Sequence, residues 1–265
     1  RQMCIRDRVY YVYSYVNLLK DKKVGEGESI NIVVPTGNFG NILAAFYAKN
    51  MGIPVGKLIC ASNENKVLTD FINTRIYNRR RNFSVTNSPS MDILISSNLE
   101  RFLYEISGRD SRLVRNLMTE LKEKGKYEIT EEMKKRLDIL YGDFASEDDT
   151  LKTIKKVYES SDYLIDTHTA VAYEVYEKYK NKTGDHRITI IASTASPFKF
   201  PRSINEVLNI GNDSASDFEL VNLFSDKLNL KLPKGLEGLE EKEICHKVTC
   251  KKDEMEKVIK NFLGI

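Results

Sequence analysis

The stretch NIVVPTGNFGN, Asn31 to Asn41, constrains the fold more than any other part of the chain. Ile30 to Pro35 is a largely apolar run rich in β-branched residues, the pattern of a strand covered on both faces. Asn41 to Met51 (NILAAFYAKNM) then reads as a helix, stopped by Gly52 with Pro54 beyond it. Lys57 to Ala61 is a second short apolar strand. Strand, helix and strand within about 30 residues form a βαβ unit, and such a unit requires a parallel sheet. The expected class is therefore α/β.

The rest of the pattern extends this sheet and surrounds it. Residues 9–20 read as an amphipathic helix of Tyr and Val at helical spacing. The preceding octapeptide, RQMCIRDR, does not continue that pattern and lacks the apolar core of a signal peptide, so it reads as a junction on a truncated chain. Residues 92–107 (DILISSNLERFLYEIS) are expected to form one helix after Pro89. From Asp110 to Ser160 the chain is heavily charged, with short amphipathic helices and no strand signal, and Ser146 with Asp149 forms a capping-box pattern. Thr169 to Lys180 is a helix with Val171, Val175 and Tyr179 on one face. Arg187 to Ser193 is a further strand, ending at STASPFKFP. A last helix is expected near 253–263.

Composition narrows the function classes. Of 265 residues, 41% are apolar, which supports a packed core. No apolar run reaches the roughly 18 residues of a membrane span. The net charge of +3 is close to neutral, and the cluster Arg75, Arg79, Arg80 and Arg81 reads as a solvated helix end, not as a nucleic-acid surface. Cys4, Cys60, Cys245 and Cys250 include no CxxC pair. Cys245, His246 and Cys250 lie close in sequence but lack a fourth ligand, so the expectation is reduced thiols in a cytoplasmic protein and no metal.

Chemistry concentrates in two turns. In GNFGN, Gly37 and Gly40 let the backbone take positive φ and let a ligand approach closely. Backbone N–H groups, the start of the following helix, and the side chains of Asn38 and Asn41 can then bind an anion. The same turn also serves as a bare strand-to-helix connection, and a short GxxG does not separate the two readings. No GK[ST] follows, and GxGxxG is absent, so neither a nucleotide P-loop nor a dinucleotide fingerprint is present. Asn donors fit a small phosphate ester held at one end, which points toward pyridoxal phosphate. In the second turn Ser193, Thr194 and Ser196 stand at a strand's carboxyl end, where ligands of open α/β sheets bind. A hydroxyl there can hydrogen-bond a pyridine nitrogen without protonating it; the plainer alternative is a Ser/Thr turn that ends a strand.

PTGNFGN at 35–41, NSPSMDILISSNLERFLYE at 87–105, DTHTAV at 166–171 and STASPFKFP at 193–201 together resemble threonine synthase, in its large-domain, C-terminal portion. The resemblance implies a pyridoxal-phosphate enzyme of the tryptophan-synthase-β-like fold (fold type II). Such an enzyme converts O-phospho-L-homoserine and water to L-threonine and phosphate. It assigns Gly37, Asn38, Phe39, Gly40 and Asn41 to the cofactor-phosphate loop and Thr194 to the pyridine nitrogen. His168 falls in a family motif, where a structural role at a helix start competes with a catalytic one. Asn98, Glu100 and Arg101 are expected to hold the insertion against the sheet.

One departure matters. The family's Schiff-base lysine lies in a Phe-Lys-Asp motif in its N-terminal half, and this chain has no such string. Phe198-Lys199-Phe200 belongs to STASPFKFP and is not a substitute, so no catalytic residue is assigned. The expected layout is a junction at 1–8, large-domain parts at 9–108 and 161–210 around a helical insertion at 109–160, and a C-terminal extension at 211–265. Two rival readings stay open: another fold type II lyase of the serine/threonine dehydratase kind, and a non-catalytic module binding a phosphate metabolite.

Overall fold

The computed structural model describes residues 2–212 and 214–265, with side chains from Arg6 onward. In chain order the elements are α1 (Gln2–Lys20), β1 (Ile30–Pro35), α2 (Gly40–Asn50), β2 (Val55–Ser62), α3 (Val67–Thr74), β3 (Ile76–Asn78), α4 (Leu99–Ile106), α5 (Ser111–Lys124), β4 (Lys126–Glu128), α6 (Glu131–Leu137), β5 (Leu140–Phe144), α7 (Glu147–Ser161), α8 (Thr167–Thr183), β6 (Thr189–Ile191), α9 (Pro201–Leu208), α10 (Asp217–Lys227) and α11 (Met255–Leu263).

Four strands form a parallel sheet in the order β5-β2-β1-β6. Every residue of β1 is buried, as the apolar run requires. The period-2 alternation of a strand decides which layer each side chain enters. Val33, Ile59 and Ala61 pack on Val171, Ala172, Val175 and Tyr179 of α8. Ile32, Val34, Leu58 and Cys60 face the opposite layer, with Ile42, Leu43 and Ala45 of α2. Helices therefore cover both faces, and the shared face foreseen for Val171, Val175 and Tyr179 is the one that meets the sheet. The Ser146–Asp149 capping box starts α7, with reciprocal bonds of 3.1 and 3.2 Å.

Three expectations are corrected. Residues 92–98 are not helical, and α4 begins only at Leu99. Asp92 is drawn instead into bonds with Thr86, Asn63 and Asn65, and the Tyr77 hydroxyl joins Leu94 O and Ser96 N. Side chains and loops here compete successfully with the helical ladder.

The charged block from Asp110 to Ser160 does contain strands. β5 is a sheet edge, parallel to β2, and β4 pairs antiparallel with β3. β5 is half-buried and only five residues long. In β4 only Tyr127 is buried, stacked on Tyr77 at 5.3 Å. Strands this short leave no periodic run to read.

The helix at the start of the chain runs on through residues 2–8 into α1, whereas the pattern was expected to begin at Val9. Arg8 lays its guanidinium over the Tyr47 ring at 5.6 Å and Asp7 lines the cavity described below. Polar residues contact the fold here without adding to an apolar stripe. Arg1 and the side chains of residues 1–5, including Cys4, lie outside the described residues, so the junction expected at 1–8 is only partly within them.

Among the described residues no helix is long and apolar enough to cross a membrane.

Candidate functional site

The two turns meet. A cavity of about 880 Å³ opens at the carboxyl ends of β1 and β6 and is lined by all of Gly37–Asn41 and by Thr194. All six residues singled out from the sequence thus border one space.

Their local roles differ from the expected ones. Neither Gly37 nor Gly40 has positive φ; Phe39 does, at 63°. Its ring leaves the cavity side and packs in the core, 5.3 Å from Phe102, and that burial holds a bulky residue in the left-handed region. The glycines serve close approach instead. A Cβ on Gly37 would stand 2.8 Å from Ser90 O, and one on Gly40 would stand 3.4 Å from Asn98 Nδ2.

A segment assigned elsewhere by the sequence clamps this turn. Ser96 Oγ donates to Gly37 O at 2.8 Å. Asn98 gives Nδ2 and its backbone N–H to Asn38 O, at 2.8 and 3.1 Å, and Ser97 Oγ donates to Asn38 Oδ1 at 3.2 Å. Asn98 is therefore a cradle residue, not a strut for the insertion, and Arg101 lines the same cavity. The string SSN was a signal for this: three short polar residues ahead of an apolar helix need partners, and the turn supplies them. Tyr11, from α1, was missed altogether; its hydroxyl donates to Asn41 Oδ1 at 2.6 Å.

Two helices start at this cavity with opposite electrostatics. α2 begins at Gly40 with no side-chain cap, and the positive end of its dipole lies at the cavity. α8 begins with Asp166, which accepts from the N–H groups of His168 and Thr169. Burial would raise the Asp166 carboxyl, but hydrogen bonds from His168 and Thr169 outweigh it and hold the pKa below the usual carboxylate range. Thr169 Oγ1 also bonds Asp166 and lies 3.1 Å from Ser193 Oγ, tying the start of α8 to the second turn.

His168 is buried and lines the cavity wall. Its Nδ1 lies 3.4 Å from Asp166 Oδ1, its ring packs 5.0 Å from Phe200, and its Nε2 has no hydrogen-bond partner among the described residues. Lys199 also borders the cavity, with its ammonium 5.4 Å over the Phe200 ring. Cys245, His246 and Cys250 are exposed, and no cluster of three or more potential ligands among the described residues is placed to hold a metal.

Residues 169–262 match the family model described as threonine synthase, C-terminal. Threonine synthase-like 1 of Macaca fascicularis is 37% identical across 96% of this chain and 35% of its own length. A crystal structure of threonine synthase from yeast superposes with a TM-score of 0.81 at 33% identity, over 98% of this chain and 51% of that one. The pyridoxal-phosphate-bound threonine synthase of Brucella melitensis gives 0.72 at 32% identity, over 86% and 46%. This chain spans about a third of the first protein and about half of the two solved ones. With the family model, the sequence identity and the superposition in agreement, the chain belongs to the threonine synthase family, whose C-terminal portion it matches.

Proposed function

We propose that this chain carries the cofactor-holding part of a pyridoxal-phosphate lyase that converts O-phospho-L-homoserine and water to L-threonine and phosphate. The observation that carries the reading is the meeting of GNFGN and Thr194 around one cavity, at a helix start without a side-chain cap.

The residues fit the cofactor. Gly37 and Gly40 keep the cradle wall to bare backbone, the start of α2 supplies positive potential, and Asn38 and Asn41 supply side-chain donors. A phosphate monoester satisfies all of them. Thr194, across the cavity, offers a hydroxyl to the pyridine nitrogen, a partner that leaves that nitrogen unprotonated. When bound, pyridoxal phosphate supplies the electron sink for carbanion chemistry on the amino-acid substrate. What this chain contributes is placement: the clamp at Ser96–Asn98 fixes the cradle, and the Asp166–Thr169–Ser193 chain fixes the turn that carries Thr194.

No lysine among these residues is assigned the bond to the cofactor. Lys199 is left out of that role because it belongs to STASPFKFP and not to a Phe-Lys-Asp motif; its ammonium stands 5.4 Å over the Phe200 ring.

Titration of the 265-residue chain with pyridoxal phosphate, followed by calorimetry, tests the cofactor reading. Binding is expected, weakened about tenfold or more by Asn38→Ala and less by Thr194→Ala, since hydrogen bonds to charged groups exceed those to neutral ones. Unchanged affinity in both variants would remove the site assignment. Borohydride reduction and peptide mapping test the lysine: a cofactor adduct on Lys199 would refute its exclusion.

A further inference from the structure

The two asparagines of the cradle are held in the same way by different parts of the fold. Asn41 Oδ1 accepts from the Tyr11 hydroxyl at 2.6 Å, and Asn38 Oδ1 accepts from the Ser97 hydroxyl at 3.2 Å. Neither NH2 group is used in a hydrogen bond among the described residues. A carboxamide is two-faced, because a half-turn about its last bond exchanges an acceptor for a donor. Facing a phosphate, the oxygen repels and the NH2 binds, so the useful orientation has to be imposed.

Tyr11 is suited to impose it. It is buried, at 3% exposure, and burial with Asp7 nearby keeps its phenol protonated far above neutral pH. A phenol donates better than it accepts, and the amide oxygen is the stronger acceptor of the two amide ends. We propose that Tyr11 and Ser97 are positioning residues that hold both carboxamides with their oxygens turned away, so that the cradle presents only N–H donors to a phosphate monoester. This rests on the reading that the cradle holds the cofactor's phosphate. It adds two residues, from α1 and from the loop before α4, that set the site's preference for a phosphorylated over an unphosphorylated ligand.

The test compares pyridoxal phosphate with pyridoxal, which lacks the phosphate, on the 265-residue chain by calorimetry. Tyr11→Phe is expected to lower affinity for pyridoxal phosphate about fivefold to tenfold and leave pyridoxal unchanged, the size of one hydrogen bond acting on a charged ligand. Ser97→Ala is expected to lower it about threefold, again only for the phosphorylated ligand. In an Asn41→Ala background, Tyr11→Phe should cost nothing more, because its effect passes through that carboxamide.

Equal losses for both ligands, or a Tyr11→Phe loss that persists in the Asn41→Ala background, would overturn the proposal. If Tyr11→Phe fails to fold by circular dichroism, the exposed Ser97 decides: normal discrimination in Ser97→Ala refutes it. Failure of the unaltered chain to bind pyridoxal phosphate would sink the cofactor reading and this inference together. Normal binding with no effect of either variant would sink the inference alone.

Discussion

Two helix starts face the same cavity, and they are built for opposite ends. At α8 the fold supplies its own anion: Asp166 caps the helix, accepts from His168 and Thr169, and is almost fully buried. At α2 no side chain caps the helix, as is also true of α3, α4, α9 and α11; α2 is the uncapped start whose first residues, Gly40 and Asn41, line the cavity. A helix start left without a cap normally costs about 1 kcal/mol. The difference teaches that, of the two helix starts at the cavity, only α8 has its N–H groups taken by a side chain of the chain itself. Under the proposed function, one end serves stability and the other holds the ligand.

Substitutions can break this comparison. Asp166→Ala should have the largest effect on folding, about 2–3 kcal/mol, because it removes a cap and leaves buried donors without partners. Asn38→Ala, at an exposed position of the α2 cradle, should change stability by less than about 0.5 kcal/mol. Urea denaturation followed by circular dichroism measures both, and similar losses would erase the distinction between the two ends.

Ligand linkage comes next in size. Pyridoxal phosphate at 100 times its dissociation constant should stabilise the chain by about 2.7 kcal/mol. Gly37→Ala should abolish most of that gain, since the added Cβ would stand 2.8 Å from Ser90 O and force the turn to shift. A full ligand-induced rise in melting temperature in Gly37→Ala would show that the phosphate sits elsewhere.

The pH dependence sharpens the same contrast at lower amplitude. The Asp166 pKa is depressed in the folded chain, so its contribution is present above the unfolded value near about 4 and is lost as pH falls through the folded value. Wild-type chain should therefore lose stability below about pH 4, and Asp166→Asn should flatten that acid limb. No residue of Gly37–Asn41 is a carboxylate, and Asn38→Ala should leave the acid limb as it is. An acid limb unchanged by Asp166→Asn contradicts the assignment of that stability to the α8 cap.

The smallest effect concerns Cys60 in β2, beneath the cradle. Burial pushes its thiol up to about 12, against the opposing hydrogen bond with Thr36. Thiol-specific labelling should mark exposed Cys245 and Cys250 at once and Cys60 only when the sheet opens. Bound pyridoxal phosphate should slow the Cys60 reaction further, as mass action on the folded state requires. Labelling of Cys60 at the rate of Cys245 would show that the layer under the cradle is loosely packed.

Much of the scaffold was legible because its signals are long or chemically sharp. The run Ile30–Pro35 is buried at every position and could only be an inner strand. Val171, Val175 and Tyr179 repeat over several turns of α8. Gly37, Asn38, Gly40 and Asn41 stood out because glycine and asparagine carry backbone and donor chemistry visible in the letters themselves, whereas Phe39 entered only with the family resemblance. What escaped depends on contacts distant in sequence. Tyr11 reaches Asn41 from 30 residues upstream, and Ser96 reaches Gly37 from 59 residues downstream. The assignment of positive φ to the glycines failed because packing of Phe39 on Phe102, a tertiary event, overrides residue preference.

The most direct test is the structure of this chain with pyridoxal phosphate bound. The account predicts the phosphate at the start of α2, within hydrogen-bond reach of the Asn38 and Asn41 NH2 groups, and the pyridine nitrogen beside the Thr194 hydroxyl. A phosphate seated at the start of α8, or outside the cavity, would contradict it.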